Sequence, residues 1–311
     1  MKRKAFTLIE LLVVIAIIAL LMAIIIPSLR AAKELASGAV CVSNQRQLCL
    51  AWTSYADDND SLLVGGSNYC GYPGTPGADR PTPYRWVEYP LLHDTDNPEV
   101  TGLIPESQYS IDTRKNGIRA GRLFAYTGDE DVYHCPGDRN IAKQEPEAVF
   151  RSYAITGLMN GEDFASNGRS GGGGLAGLYT PIVKYRSAVT APGGTAKKLY
   201  VVVKSSEIRS PGSKHVFVEE DPTVPGKDQK VNAGGFVLLG GTSQIDWWDW
   251  PAYYHNDSGT VGFADGHAER HRWQDPDTVQ LINLGDEVAP DPHPETNEDL
   301  YWLARGYVPK P

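Results

Sequence analysis

The chain has 311 residues and a formal net charge of −9, which becomes −12 if Lys2, Arg3 and Lys4 are removed. That balance disfavours bulk nucleic-acid binding, and no run of Lys and Arg with interleaved aromatics supplies a basic stripe; Arg114, Lys115, Arg119 and Arg122 read as a solvated face. No nucleophile elbow, catalytic carboxylate pair or HExxH argues for an enzyme, and the Gly171–Gly174 run lacks the Lys-Ser/Thr pair of a phosphate loop, so it reads as a mobile loop.

Lys2-Arg3-Lys4 precede the stretch from Phe6 to Ile26, in which only Thr7 and Glu10 are polar. As a helix this stretch is about 30 Å long, one bilayer core. A secretory signal would carry its small cleavage residue after the apolar run, whereas Ala5 lies before it, so a cut there leaves the helix attached. The cations keep the start cytoplasmic and send the remainder to the other side. Glu10 demands a reason, because a carboxylate in hydrocarbon costs on the order of 2 to 3 kcal/mol unless paired. A cut between Ala5 and Phe6 creates an α-amino group that a neighbouring copy can offer it.

Ala5-Phe6-Thr7-Leu8-Ile9-Glu10 after a basic leader resembles the type IV prepilin and type II secretion pseudopilin class. The resemblance implies removal of residues 1–5 by a prepilin peptidase, methylation of the new terminus at Phe6, assembly through Glu10, and a helix-kinking role for Pro27. Ala5 departs from the usual Gly. The implied fold is α+β: a long pilin helix, membrane-spanning over 6–27 and amphipathic over 28–58, packed on a mainly antiparallel β head from 59 to 311. The implied setting is a bacterial inner membrane, with the head in the periplasm or on an extracellular filament. The implied partners are copies of the chain, other pilin-like subunits and the peptidase.

Past Pro27, which predicts a kink or loosening near residues 23–27, Leu35, Val42, Leu48, Trp52 and Tyr55 recur at helical spacing among polar positions that include Asn44 and Gln45, so one face should pack on the head. The helix should end near Tyr55 to Asp58. Cys41, Cys49, Cys70 and Cys135 all follow the membrane segment, where disulfides are allowed. Cys41 with Cys49 is disfavoured by about 12 Å of helix rise, which leaves either helix-to-head disulfides or free buried thiols. Their spacing carries no CxxC pair and no zinc signature.

The head, about 250 residues rich in Gly, Pro, Tyr and Trp, suffices for one sizeable core or two small ones. Strands are predicted over 198–204, 215–219, 235–239 and 259–264. Asp265-Gly266 should turn a hairpin from Thr260–Ala264 into His267–Trp273, with both turn residues at positive φ. His255 lies nine residues before Asp265-Gly266, a spacing similar to the H-X9-DG domain that accompanies prepilin-type leaders. The Cys41–Leu48 and Tyr55–Asp58 segments and Cys135-Pro136-Gly137-Asp138 extend that resemblance, which assigns no chemistry.

His255, Asp265 and His267 are the candidate metal ligands, against a turn-capping role for the same groups. Calcium is a second candidate ion, at the acidic loops Glu219-Glu220-Asp221 and Asp246 to Asp257, although neither carries an EF-hand pattern. Trp247, Trp248, Trp250, Tyr253 and Tyr254 are either loop core or an exposed platform for a glycan or secreted protein. The sequence thus reads as a filament subunit, of minor type given its large head. Its rival is an anchored or filament-displayed glycan- or protein-binding module.

Overall fold

The computed structural model describes residues 8–66, 85–88, 110–138, 150–160, 188–190, 196–198, 202–221, 235–236, 238, 247, 249–283 and 296–307. Ala5, Phe6, Cys70, Trp248 and the Gly171–Gly174 run lie outside them.

A single helix, α1, runs from Leu8 to Asp58 and passes through Pro27. The proline removes a backbone donor, and next to it the Ser28 hydroxyl donates to the Ile25 carbonyl at 2.8 Å. The helix ends at Asp58, after which Asp60 and Ser61 take left-handed φ of 53° and 64° and turn the chain back. Asp58 accepts a hydrogen bond from the Tyr126 hydroxyl at 2.9 Å, so its carboxylate is held at the helix end by the head.

Two short helices follow, α2 (Ile111–Ala120) and α3 (Phe124–Thr127), then a 3-10 turn at Glu130–Tyr133. Ser110 and Thr113 form a capping box that starts α2. Lys115 and Arg119 both pair with Glu130, so part of the basic patch read from the sequence is neutralised.

The strands are β1 (Tyr153–Thr156), β2 (Ala188–Thr190), β3 (Ala196–Lys198), β4 (His215–Asp221), β5 (Gly235–Phe236), β6 (Trp250–Pro251), β7 (Ser258–Phe263) and β8 (Ala268–Arg272). Six of them form one mixed sheet ordered β5-β1-β4-β7-β8, with β6 also on β4; only β1 with β5 is parallel. β2 and β3 form a separate antiparallel pair.

Every residue of β1 and β7 is buried because the sheet is covered on both faces. Tyr153, Ile155 and Phe217 join Leu48, Trp52 and Tyr55 of α1 in one core. Ala154, Val218, Val261 and Phe263 point the other way, onto Leu300, Leu303 and Tyr307 of the C-terminal helix Glu298–Tyr307. Gly262 permits a close approach of stem and sheet, since a Cβ there would stand 2.5 Å from the Cys49 sulfur.

Three expectations are corrected. The packed face of α1 is Gly38, Cys41, Asn44, Gln45, Leu48, Cys49, Trp52 and Tyr55, while Leu35 is 62% exposed. Glu219-Glu220-Asp221 is the end of strand β4 and not a loop, and Glu219 is wholly buried. The hairpin turn is not a two-residue one: Gly266 N–H donates to Phe263 O, Phe263 N–H donates to His267 O, and only Gly266 has positive φ, at 94°. This is a three-residue connection with its glycine in the left-handed region.

Candidate functional site

Two places carry chemistry. The first is the free half of α1. From Leu8 to Ile26 its large apolar side chains are 47 to 80% exposed, and its most apolar window has a mean hydropathy of 3.3 and touches nothing in the head. Among the described residues this is one helix long and apolar enough to cross a membrane, and Glu10 sits on its exposed surface.

The second place is where the stem meets the sheet. Cys41 of α1, Cys135 after the 3-10 turn, Glu219 of β4 and His255 before β7 converge, all four wholly buried, with their ligand atoms within 4.8 Å of one another. Cys41 and Cys135 are free thiols with sulfurs 2.7 Å apart. Nε2 of His255 lies 3.3 Å from Cys135 Sγ and 3.3 Å from Glu219 Oε1.

Local structure fixes each group. Cys135-Pro136-Gly137-Asp138 is a turn closed by Asp138 N–H to Cys135 O at 2.9 Å, and Gly137 N–H donates to Cys135 Sγ at 3.2 Å. Cys135 N–H donates to Ser152 Oγ, which in turn donates to Asp138. A side chain at Gly137 would place its Cβ 2.9 Å from the His255 ring, so only glycine lets the turn close on the histidine. Glu219 Oε2 accepts from both the amide and the hydroxyl of Thr260 at 2.9 Å. On the stem, Asn44 donates to His134 O at 3.0 Å and Gln45 to Thr260 O at 2.8 Å, so two polar side chains grip the backbone beside the cluster.

Burial depresses the basicity of His255, but hydrogen bonds to Cys41 and Glu219 more than reverse this, and its pKa is raised to about 10. Burial likewise opposes charge on Cys41, whose contacts with Cys135 and His255 nevertheless bring the thiol below its ordinary value. Cys135 moves up, through burial and the adjacent Cys41 sulfur. In a low-dielectric core this is a charged knot, held by opposite-charge contacts.

The expected ligand trio of His255, Asp265 and His267 is not brought together. β7 separates His255 from the other two: His255 packs on Ser37 and Gly38, while Gly266 of the turn reaches Leu50, about 20 Å further along α1. Asp265 and His267 instead bond each other at the exposed tip. Cys49 is also apart from the cluster, lying against Gly262. Ser37 and Tyr153 are absent from the sequence reading, and Glu219 enters it only as part of a candidate calcium loop, because a strand end resembles an acidic loop when only its charges are read.

Of the aromatic run, Trp247 is buried and stacks on Trp250 with ring centroids 5.6 Å apart; both pack on the second core, with Tyr253 beside them. The described members of that run therefore serve as core and not as an exposed platform.

Residues 1–26 match the family model described as the prokaryotic N-terminal methylation motif. The match covers the leader, Ala5, Phe6, Glu10 and most of the exposed apolar helix. No curated protein and no solved structure matches the chain. The motif supports a type IV pilin-like filament subunit that assembles with other pilin subunits and is processed by a prepilin peptidase. It implies a structural subunit rather than an enzyme. With the apolar helix it supports a membrane-anchored, single-pass protein, and the long helix on a mainly antiparallel sheet is consistent with a pilin fold.

Proposed function

We propose that this chain is a minor structural subunit of a type IV pilus-like or type II secretion filament, cut between Ala5 and Phe6, N-methylated at Phe6 and drawn into the filament through α1. The observation that carries this reading is the coincidence of the methylation motif with an apolar, exposed half-helix bearing Glu10. In the bilayer the exposed side chains face lipid; in a filament they face the same half-helix of neighbouring subunits. Placing Glu10 next to the Phe6 amino group of a neighbour gives the carboxylate a cationic partner inside the apolar helix bundle, which favours assembly. The head then sits outside the inner membrane, on the filament surface.

The H-X9-DG pattern fits this role as a packing device. It measures the strand that lies along the stem, with His255 at one end of β7 and the turn glycine at the other.

Intact-mass measurement of the membrane-extracted chain, expressed with and without a prepilin peptidase, tests the proposal. The expected product with the peptidase has lost residues 1–5 and gained one methyl group. A full-length chain in the presence of an active peptidase would overturn it.

A further inference from the structure

We propose that Cys41, Cys135, Glu219 and His255 form a closed structural site for a divalent metal ion of the zinc class, pinning the stem helix to the head. Four segments distant in sequence, two of them regular elements and two of them turns, deliver one donor each to the same buried point. Two thiols, one imidazole and one carboxylate are a donor set suited to zinc and poorly suited to calcium or magnesium, which prefer all-oxygen shells.

The orientation of the donors is the main support. The Ser37 hydroxyl donates to the Glu34 carbonyl at 2.9 Å, so at its 3.2 Å contact with His255 Nδ1 it serves as the acceptor. That places the proton on Nδ1 and, in the neutral imidazole, leaves the Nε2 lone pair aimed at Cys135 and Glu219. A second-sphere hydrogen bond of this kind is how metal-binding histidines are set. Glu219 is arranged in the same sense: Thr260 satisfies Oε2 twice, and Oε1 turns towards His255. The Nε2–Oε1 contact needs positive charge between the two atoms, which either a proton on the imidazole or a bound divalent ion supplies, and the ion also engages the two thiols. Gly137 N–H donates to Cys135 Sγ, a contact that a metal-bound thiolate would keep. Tyr153, wholly buried, has a hydroxyl that lies near Cys41 and makes no hydrogen bond of ordinary geometry.

Two of the donor separations already match a small tetrahedral site, and the full set, spread over no more than 4.8 Å, contracts or opens to it by side-chain rotation. Bonds of about 2.0 Å to nitrogen and oxygen and about 2.3 Å to sulfur put neighbouring donors roughly 3.3 to 3.7 Å apart. The His255–Glu219 and His255–Cys135 separations are both 3.3 Å. The two sulfurs, at 2.7 Å, must open by about 1 Å, within reach of side-chain rotation. With all four donors buried, no position is left for substrate or water, which makes the site structural and not catalytic. Three anionic ligands are costly in an apolar core, and a divalent ion offsets most of that charge.

The test uses the full chain purified in detergent from zinc-supplemented cells. Metal analysis should find close to one zinc per chain, and exchange for cobalt(II) should produce thiolate-to-cobalt charge-transfer absorption. Cys135→Ser and His255→Ala should lose the metal and the absorption, whereas Cys49→Ser should keep both. So that the test does not depend on the folding of the cluster variants, the wild-type chain supplies a second measurement: stripping with a chelator should expose Cys41 and Cys135 to alkylation, and zinc should protect them again. A Cys41–Cys135 disulfide in the unreduced chain, or free thiols with less than a tenth of an equivalent of metal, would overturn the proposal.

Discussion

The two halves of α1 share a backbone and differ in nearly everything else. Between Leu8 and Ile26 the helix is apolar all round and exposed; between Gly38 and Ala56 it is mixed in composition and half-buried in the head. A polar side chain marks each half, and the difference lies in where it finds its partner. Gln45 and Asn44 bond to the backbone of the chain's own head. Glu10 lies on the exposed half of the helix, where the proposed filament brings a partner from another molecule. In the proposed filament one half of the helix thus serves folding, and the other serves assembly.

Breaking this comparison at Glu10 should have the largest effect on assembly. Glu10→Gln is expected to leave membrane insertion intact and to reduce incorporation into filaments by roughly 30- to 150-fold, the equivalent of about 2 to 3 kcal/mol, read as the filament-to-membrane ratio of the subunit. Unchanged incorporation would remove the reason given for this residue.

A paired substitution sharpens the division. Trp52→Ala, at a wholly buried site, should cost about 3 to 5 kcal/mol of head stability in denaturant melts. Leu20→Ala, at a position 65% exposed, should leave the same melt unchanged. Equal effects would mean that the two halves are not separate.

The smallest expected effect is at Gln45. Gln45→Leu removes the donor to Thr260 O and Oγ1 and should cost about 1 to 3 kcal/mol of head stability, without altering membrane retention of the chain. A neutral result would show that the polar grip on β7 adds nothing beyond packing.

Much of this was legible in one dimension, for definite reasons. The apolar run, its cationic start and the cut site are local, and a helix of that length needs no partner to be recognised. The β4 and β7 strands follow from short runs of β-forming residues between turn signals. The stem face was misread because Asn44 and Gln45 look like solvent positions until their partners are known, and because exposed Leu35 has the right spacing. The buried cluster was unreadable for a similar reason: Cys41 and Cys135 are 94 positions apart and Glu219 and His255 are 36 apart, so no spacing rule links the four.

The sequence alone determined that the chain begins with a membrane-length helix carrying one acid and continues into a β-rich head, since length, hydrophobicity and turn chemistry are properties of neighbours along the chain. Only the tertiary structure decided that His255 faces Cys41, Cys135 and Glu219 and not Asp265 and His267. The physical reason is strand geometry: a six-residue strand carries its two ends far apart, while the packing of helix on sheet brings sequence-distant groups within bonding distance.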